Sequence, residues 1–162
     1  MQTNKWYTTS KIINDPVHGF MTIEYQLLLD ILDHPWMQRM RRIRQLGMTN
    51  LVFPGAQHTR FQHALGAMHL IRLAMDTLLY KGTLITEDEQ RAAMAAMLLH
   101  DVGHGPFSHV LEHSIVTGIS HEEISMILME RMNAQMGSRL DRRIDVFQGR
   151  SKPFLHQPIS SQ

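Results

Sequence analysis

The chain has 162 residues, 43% of them hydrophobic and 19% charged, which is enough for one domain with a substantial core. The formal net charge of +1 provides neither a broad basic field for nucleic acid nor an acidic surface for a basic partner, and the absence of cysteine excludes disulfides, thiolate metal sites and cysteine nucleophiles. Residues 1–10 lack an apolar signal core and no apolar run approaches the roughly 18 residues that a membrane helix needs, so we expect a cytoplasmic protein.

Residues 1–23 are predicted to form an extended segment with a short β-hairpin, because apolar stretches flank an Asn-Asp-Pro turn. The residues that follow show helical apolar spacing. His34 precedes a proline and is therefore disfavoured in helical geometry, which predicts a break in the first helix. Pro35 suits the first turn of a second helix, which we expect to continue to Gly47.

Three capping boxes, in which Ser or Thr is followed three residues later by Glu or Gln, predict the starts of three further helices. They begin at Thr59, Thr86 and Ser120. The first of these helices is expected to reach about Tyr80 and to carry His63 on its apolar face.

A further helical segment is expected to begin at Pro106, and after Gly137 the sequence gains arginines and loses its periodicity. We therefore predict an all-α helical bundle over residues 24–137, preceded by the hairpin and followed by an irregular basic tail over residues 138–162.

The stretch from His100 to His109 reads His-Asp-Val-Gly-His-Gly-Pro-Phe-Ser-His and directly follows an apolar helix. Burying an unpaired polar group costs roughly 2–7 kcal/mol, whereas imidazole and carboxylate are usual ligands of divalent transition ions. His100 and Asp101 can hold one or two ions from one wall of a pocket, and His63 is the best candidate for a further ligand. The pattern thus predicts a metal site built by two helices.

Arg60-Phe61-Gln62-His63, followed by His100-Asp101, resembles the H…HD pattern of the HD-domain phosphohydrolases. Further stretches match, in the same order, the branch of this superfamily that contains the deoxynucleoside triphosphate triphosphohydrolases. They are NDPVHG (14–19), QRMR (38–41), QLG (45–47), FPGA (53–56) and HDVGHGPFSH (100–109). The resemblance covers roughly residues 10–130 and implies an HD-domain helical bundle that hydrolyses phosphate esters.

Carried over position by position, the resemblance implies a role for several residues. The metal ligands are His63, His100 and Asp101, and the ion is iron, manganese, zinc or magnesium. The histidines that assist the reaction at phosphorus are His104, His109 and His121. The substrate contacts are Arg60 for the phosphates and Gln45 and Leu46 for the nucleoside. A regulatory deoxynucleotide site between subunits is formed by Lys11, Asn14, Asp33, Gln38 and Arg41.

The sequence departs from the family in one respect, because the family's fourth metal ligand is a distal aspartate on a later helix. The aspartates that follow Asp101 are Asp141 and Asp145, and both lie in the arginine-rich segment without an apolar helix to present them. We assign neither as the ligand. We therefore expect the chain to be the N-terminal part of a longer protein and, by itself, a poor catalyst.

The sequence thus predicts a metal-dependent phosphohydrolase that acts on nucleotides, with triphosphate release from a deoxynucleoside triphosphate as its sharpest form. Two alternatives remain open: a phosphomonoesterase or phosphodiesterase of the same superfamily, and a nucleotide-binding regulatory module without turnover. We expect a nucleotide or another phosphate ester as substrate, assembly into a homo-oligomer, and neither a membrane nor nucleic acid as partner.

Overall fold

The N-terminal hairpin opens the part of the chain that the structure, a computed structural model, describes, namely residues 10–107 and 120–140. Strands β1 (Lys11–Asp15) and β2 (Gly19–Ile23) pair antiparallel, with Lys11 opposite Ile23. Asp15 Oδ1 closes the turn by accepting hydrogen bonds from the Val17 and His18 amides at 2.8 and 3.0 Å. The predicted hairpin is confirmed.

Two helices follow the hairpin and are separated by one residue. They are α1 (Gln26–Asp33) and α2 (Pro35–Arg39). His34 between them is extended (φ −65°, ψ 138°), and its Nδ1 accepts a hydrogen bond from the Trp36 amide at 3.3 Å. Proline at the first position of α2 needs no amide partner there, so the predicted break is also confirmed.

The second helix is shorter than predicted, because it ends at Arg39 instead of reaching Gly47. A 3₁₀ turn (Met40–Arg42) follows, and Ile43 is extended. Residues 43–45 then pair with residues 58–60: the Arg60 amide donates to the Ile43 carbonyl at 2.8 Å, and the Gln45 amide donates to the His58 carbonyl at 3.1 Å. This non-local pairing replaces the last helical turns and brings residue 45 beside the start of the next helix.

The three predicted capping boxes all start helices. These are α3 (Arg60–Tyr80), α4 (Glu87–Leu99) and α5 (His121–Gln135). In each, the side chain of the capping residue accepts from the third helical amide, and the side chain at that third position accepts from the capping residue's amide. Helix starts that depend on four consecutive residues were therefore predictable from the sequence.

The buried face of α3 differs from the predicted one, since the side chain of His63, which was expected on the apolar face, is 42% exposed. Apolar residues occur around much of this helix, so sequence spacing alone selected the wrong face. The face that packs into the core carries Phe61, Ala64, Leu65, Met68 and Met75. His63 consequently lies at the surface, in the first turn of α3, instead of inside the bundle.

The core lies where α4 packs against α1 and α3. Helix α5 and strand β2 cover it with Leu128, Met129 and Met132 from the helix and Met21 and Ile23 from the strand. None of the helices within residues 10–107 and 120–140 has the length and hydropathy of a membrane-spanning segment. The helical segment predicted after residue 106 and most of the predicted tail lie outside the described residues.

Replacing Thr86 by alanine should destabilise the fold without touching the candidate site. Thr86 Oγ1 accepts a hydrogen bond from the Glu89 amide at 3.3 Å, and the Thr86 amide donates to the Glu89 carboxylate at 2.7 Å. Loss of such a cap costs about 1 kcal/mol, which lowers the melting temperature of a domain of this size by roughly 2–4 °C. Differential scanning calorimetry checks the shift. Thr77→Ala, on the exposed side of α3, is the control, and an equal shift in both variants would contradict the capping role.

Candidate metal centre

His100 and Asp101 follow the last turn of α4, whose apolar residues anchor that turn in the core. The His100 Nδ1 lies 2.8 Å from the Met97 carbonyl oxygen. A carbonyl can only accept, so Nδ1 carries the proton, and the Nε2 lone pair is left available for a ligand. Metal-binding histidines are usually oriented in this way, by a hydrogen bond from the ring nitrogen that does not bind the ion.

The structure brings His63 to the His100-Asp101 pair although the residues come from different helices. The His63 and His100 Nε2 atoms are 3.3 Å apart, and His63 Nε2 lies 3.9 Å from Asp101 Oδ2. His100 Nε2 lies 3.5 Å from Asp101 Oδ1. One ligand atom from each of the three residues falls within 4.8 Å of the others. Two imidazoles and a carboxylate at this spacing fit a divalent transition ion.

Asp101 is buried and forms an ion pair with Arg60, whose Nη1 donates to Asp101 Oδ2 at 2.8 Å. Burial alone would raise the pKa of Asp101. The hydrogen bond from His104 and the charges of His100, Arg60 and His104 outweigh that effect, so the pKa of this carboxyl lies well below its usual range. Asp101 is therefore anionic across the physiological pH range, as a ligand of a divalent ion would need to be.

His63 stays neutral under conditions in which many histidines begin to protonate. Burial lowers its pKa most, and the charges of His100, Arg60 and His58 lower it further, while Asp101 opposes the shift. A neutral imidazole is the form that binds a metal. The electrostatic environment of His63 thus suits a ligand role near neutral pH.

Two further histidines, His104 and His121, are stacked beside the triad. His104 is 4% exposed and its Nε2 lies 3.4 Å from Asp101 Oδ1. The ring of His121, the first residue of α5, stacks on the His104 ring with centroids 4.2 Å apart and planes 17° apart. The structure therefore gathers these two predicted residues at the site. His109, the third of that group, lies outside the described residues, as do Asp141 and Asp145.

The predicted substrate contacts border the same site. Gln45 Nε2 lies 3.5 Å from Asp101 Oδ2, and Leu46 beside it is 48% exposed. Arg60 is buried at the first position of α3 and points its guanidinium at Asp101. The side of the site at residues 45–46 is therefore open to a ligand, whereas the Arg60 side is closed by an ion pair.

Four of the residues assigned to a regulatory site form a row, in which Gln38 is partly buried and the other three are exposed. Lys11 Nζ lies 3.4 Å from Asp33 Oδ1, and Gln38 Nε2 donates to the Leu32 carbonyl at 2.6 Å. Arg41 Nε donates to Gln38 Oε1 at 2.8 Å. The Arg41 guanidinium also lies over the Phe61 ring, 3.8 Å from its centroid. The row therefore ends in a cation whose position is fixed.

Asn14 differs from the rest of this predicted set. It is exposed on β1, opposite Phe20, at a position whose side chain alternates to the other face from Lys11. The contacts thus join four of the five predicted residues in two pairs, Lys11 with Asp33 and Gln38 with Arg41, and leave Asn14 on the other face of the hairpin.

Arg39 contacts the main chain beside the triad but is not among the residues that the sequence predicted for the site. Its Nη2 donates to the Val102 carbonyl at 2.6 Å and to the His104 carbonyl at 3.0 Å, and burial lowers its pKa from the ordinary value. Arg39 lies between Met37 and Met40, which are both buried. These two apolar residues were the feature of the sequence that could have indicated a partly buried arginine.

The order and geometry of these residues correspond to a known family. Residues 60–148 match the family model described as "HD domain". The chain belongs to the HD-domain family. The matched range contains the His63, His100 and Asp101 triad, so the part of the chain with the candidate metal centre is also the part that defines the family.

The HD-domain chain is similar to proteins from bacteria and animals. It is 42% identical over 116 residues to the uncharacterized protein YwfO of Bacillus subtilis, covering 71% of this chain and 26% of YwfO. It is 39% identical over 132 residues to the human deoxynucleoside triphosphate triphosphohydrolase SAMHD1, covering 76% of this chain and 21% of that protein. The chain spans about a quarter or less of the length of these two relatives.

A solved structure confirms the fold. The crystal structure of a phosphohydrolase from Bacteroides thetaiotaomicron superposes with a TM-score of 0.83 and is 57% identical in sequence. The match covers 86% of this chain and 34% of the solved chain. The all-α architecture with an N-terminal hairpin is thus the architecture of an HD domain.

Metal content should depend on the triad. Protein purified without chelator is expected to contain a divalent transition ion, and His100→Ala or Asp101→Ala should each remove most of it, because each leaves only two of the three ligands. Elemental analysis by mass spectrometry measures the ratio of metal to protein. His69→Ala, a histidine further along α3 that is not in the triad, is the control. Wild-type metal content in both ligand variants would refute the assignment.

Proposed function

We propose that the HD domain described above is the metal-binding part of a phosphohydrolase that acts on nucleotides, with a deoxynucleoside triphosphate as substrate. The observation that carries the proposal is the triad of His63, His100 and Asp101, whose ligand atoms lie within 4.8 Å of one another at the junction of α3 and α4. The names of the relatives support the substrate, since SAMHD1 homologues from human and Dictyostelium discoideum are called deoxynucleoside triphosphate triphosphohydrolases.

The triad would hold a divalent ion through two imidazole nitrogens and one carboxylate oxygen. Such an ion, when bound, lowers the pKa of a coordinated water and neutralises charge on phosphoryl oxygens. The chain's own contribution is orientation. The Met97 carbonyl fixes the His100 ring, and Arg60 fixes the Asp101 carboxylate, so the ligand atoms are held in place in advance.

His104 and His121 would act on the phosphate side of the site. His104 Nε2 lies 3.4 Å from Asp101 Oδ1, and this contact orients the ring. Stacking keeps the His121 ring parallel to it. A pair of imidazoles in this position can donate hydrogen bonds to phosphoryl oxygens or carry a proton to a leaving group. His109 is proposed for the same role on the basis of the sequence motif.

Gln45 and Leu46 would contact the nucleoside. Gln45 is tied to Asp101, and Leu46 offers an exposed apolar side chain next to it. An amide beside an apolar surface can hydrogen-bond a sugar hydroxyl and pack against its ring. Arg60, which is buried against Asp101, would act on the phosphates through its positive charge and not by direct contact.

The type of product should identify the reaction. With manganese and dGTP, the protein is expected to release deoxyguanosine and tripolyphosphate in equal amounts, and Asp101→Ala should lower the rate by about 100-fold or more because the metal and its orientation are lost. Ion chromatography of the products measures both species. His69→Ala is the control and should keep the wild-type rate.

Other results of this assay would replace the proposal. Release of orthophosphate or nucleoside monophosphate would indicate one of the other phosphohydrolase activities. Thermal stabilisation by dGTP without any product would indicate a nucleotide-binding module.

The row formed by Lys11, Asp33, Gln38 and Arg41 is proposed as a nucleotide-binding surface that promotes assembly into a homo-oligomer. Two cations at its ends are suited to phosphate, and the Gln38 amide and the Asp33 carboxylate are suited to a base or a sugar. This role extends to Asn14 on the adjacent face of the hairpin.

Arg41→Ala should weaken nucleotide-dependent assembly. Loss of a charged hydrogen bond to phosphate is expected to raise the dGTP concentration required for oligomer formation about tenfold. Sedimentation velocity at several nucleotide concentrations measures this. Arg42→Ala, an exposed arginine one residue further on, is the control, and a sedimentation coefficient that does not respond to nucleotide would refute the role.

A further inference from the structure

The main chain around Gly103 is held by side chains from two separate helices. From α2, Arg39 Nη2 donates to the carbonyls on both sides of this glycine, at 2.6 Å to Val102 and 3.0 Å to His104. From α5, Ser125 Oγ accepts the Gly103 amide at 2.9 Å. Three hydrogen bonds therefore fix a turn of three residues.

The close approach of α5 requires glycine at this position. A Cβ at residue 103 would overlap the His121 carbonyl oxygen as well as the main-chain nitrogen and hydroxyl of Ser125. The Ser125 side chain is fully buried, so its hydroxyl is directed at the turn and not at solvent. The first turn of α5 is thus docked directly on the main chain that follows Asp101.

The three hydrogen bonds fix the main chain from which the His104 side chain extends. The His104 carbonyl is one of the two acceptors of Arg39, and the His104 amide donates to the Asp101 carbonyl at 3.1 Å. With its main chain fixed at both ends, the ring lies 3.4 Å from Asp101 Oδ1 and stacks on His121. Loss of the hydrogen bonds from Arg39 and Ser125 would let the His104 ring move while Asp101 and His121 keep their own side chains.

Both acceptors of Arg39 are main-chain carbonyls, although Asp101 is only one residue before Val102. A guanidinium that served to balance the charge of the site would be expected to contact the carboxylate, as Arg60 does. Arg39 instead donates both N–H groups of Nη2 to carbonyls of the turn, and therefore fixes the conformation of the turn.

We infer that Arg39 and Ser125 are positioning residues, which together hold the turn of residues 102–104 so that the His104 ring stays between Asp101 and His121. Neither side chain contacts the metal ligands directly. The effect on turnover rests on the proposed function, whereas the effect on the turn does not.

Amide hydrogen exchange followed by NMR tests the inference on the whole 162-residue protein. In Arg39→Ala and in Ser125→Ala, the Gly103 and His104 amides should exchange about tenfold faster or more, because each change removes a bond that closes the turn. Amides of α3 should stay within about twofold of wild type. Arg39→Lys should recover part of the protection, since its ammonium keeps the donors but ends one bond short.

Steady-state hydrolysis adds a second measurement. In Arg39→Ala, kcat should fall at least about tenfold with little change in KM, because a misplaced His104 affects the reaction more than binding. Arg42→Ala is the matched control and should leave both the exchange rates and turnover unchanged.

The outcomes separate this inference from the proposed function. Unchanged exchange at Gly103 and His104 in both variants overturns the inference, and so does acceleration spread evenly over α3 and α4, which would indicate a general loss of stability. Absence of hydrolysis by the wild-type protein overturns the proposed function alone, since the exchange rates still test the turn.

Discussion

The buried ion pair between Arg60 and Asp101 is the interaction on which the rest of the site depends. It joins the first residue of α3 to the second residue after α4, and removing one partner of such a pair costs about 3–5 kcal/mol because the other charge stays buried. With these two helix ends joined, His63 and His100 come within 3.3 Å of each other. The Asp101 carboxylate also contacts His104 and Gln45. One side chain therefore positions the candidate ligands, the pair of stacked histidines and the residue at the open side of the site.

Much of this fold could be predicted from the sequence, because the residues that begin and end its helices act on their immediate neighbours. Each capping box consists of four consecutive residues that satisfy one another, as at Thr86 and Glu89, and the residue before Pro35 leaves helical geometry for a steric reason that involves one neighbour. The histidines and the carboxylate after α4 were equally recognisable, since a buried helix that ends in polar groups needs partners for them. The sequence also placed His63 at the start of its helix.

The errors concern features that depend on residues far apart in the chain. The second helix ends at Arg39 because residues 43–45 pair with residues 58–60, and neither segment shows this in its own pattern. The buried face of α3 is selected by α4 and α1, whereas its apolar residues occur on several sides. Arg39 stands among several arginines, and nothing in its own segment indicates that its acceptors are carbonyls more than sixty positions away.

The placement of His121 on α5 has a consequence for the order in which the site is assembled during folding. The candidate metal ligands lie on α3 and directly after α4, two helices that follow each other in the chain and can pair at a small cost in loop-closure entropy. The stack of His121 on His104 forms only when a later helix docks on Gly103. Assembly of the triad and completion of the histidine pair are therefore separable events, and the triad can form before α5 has docked.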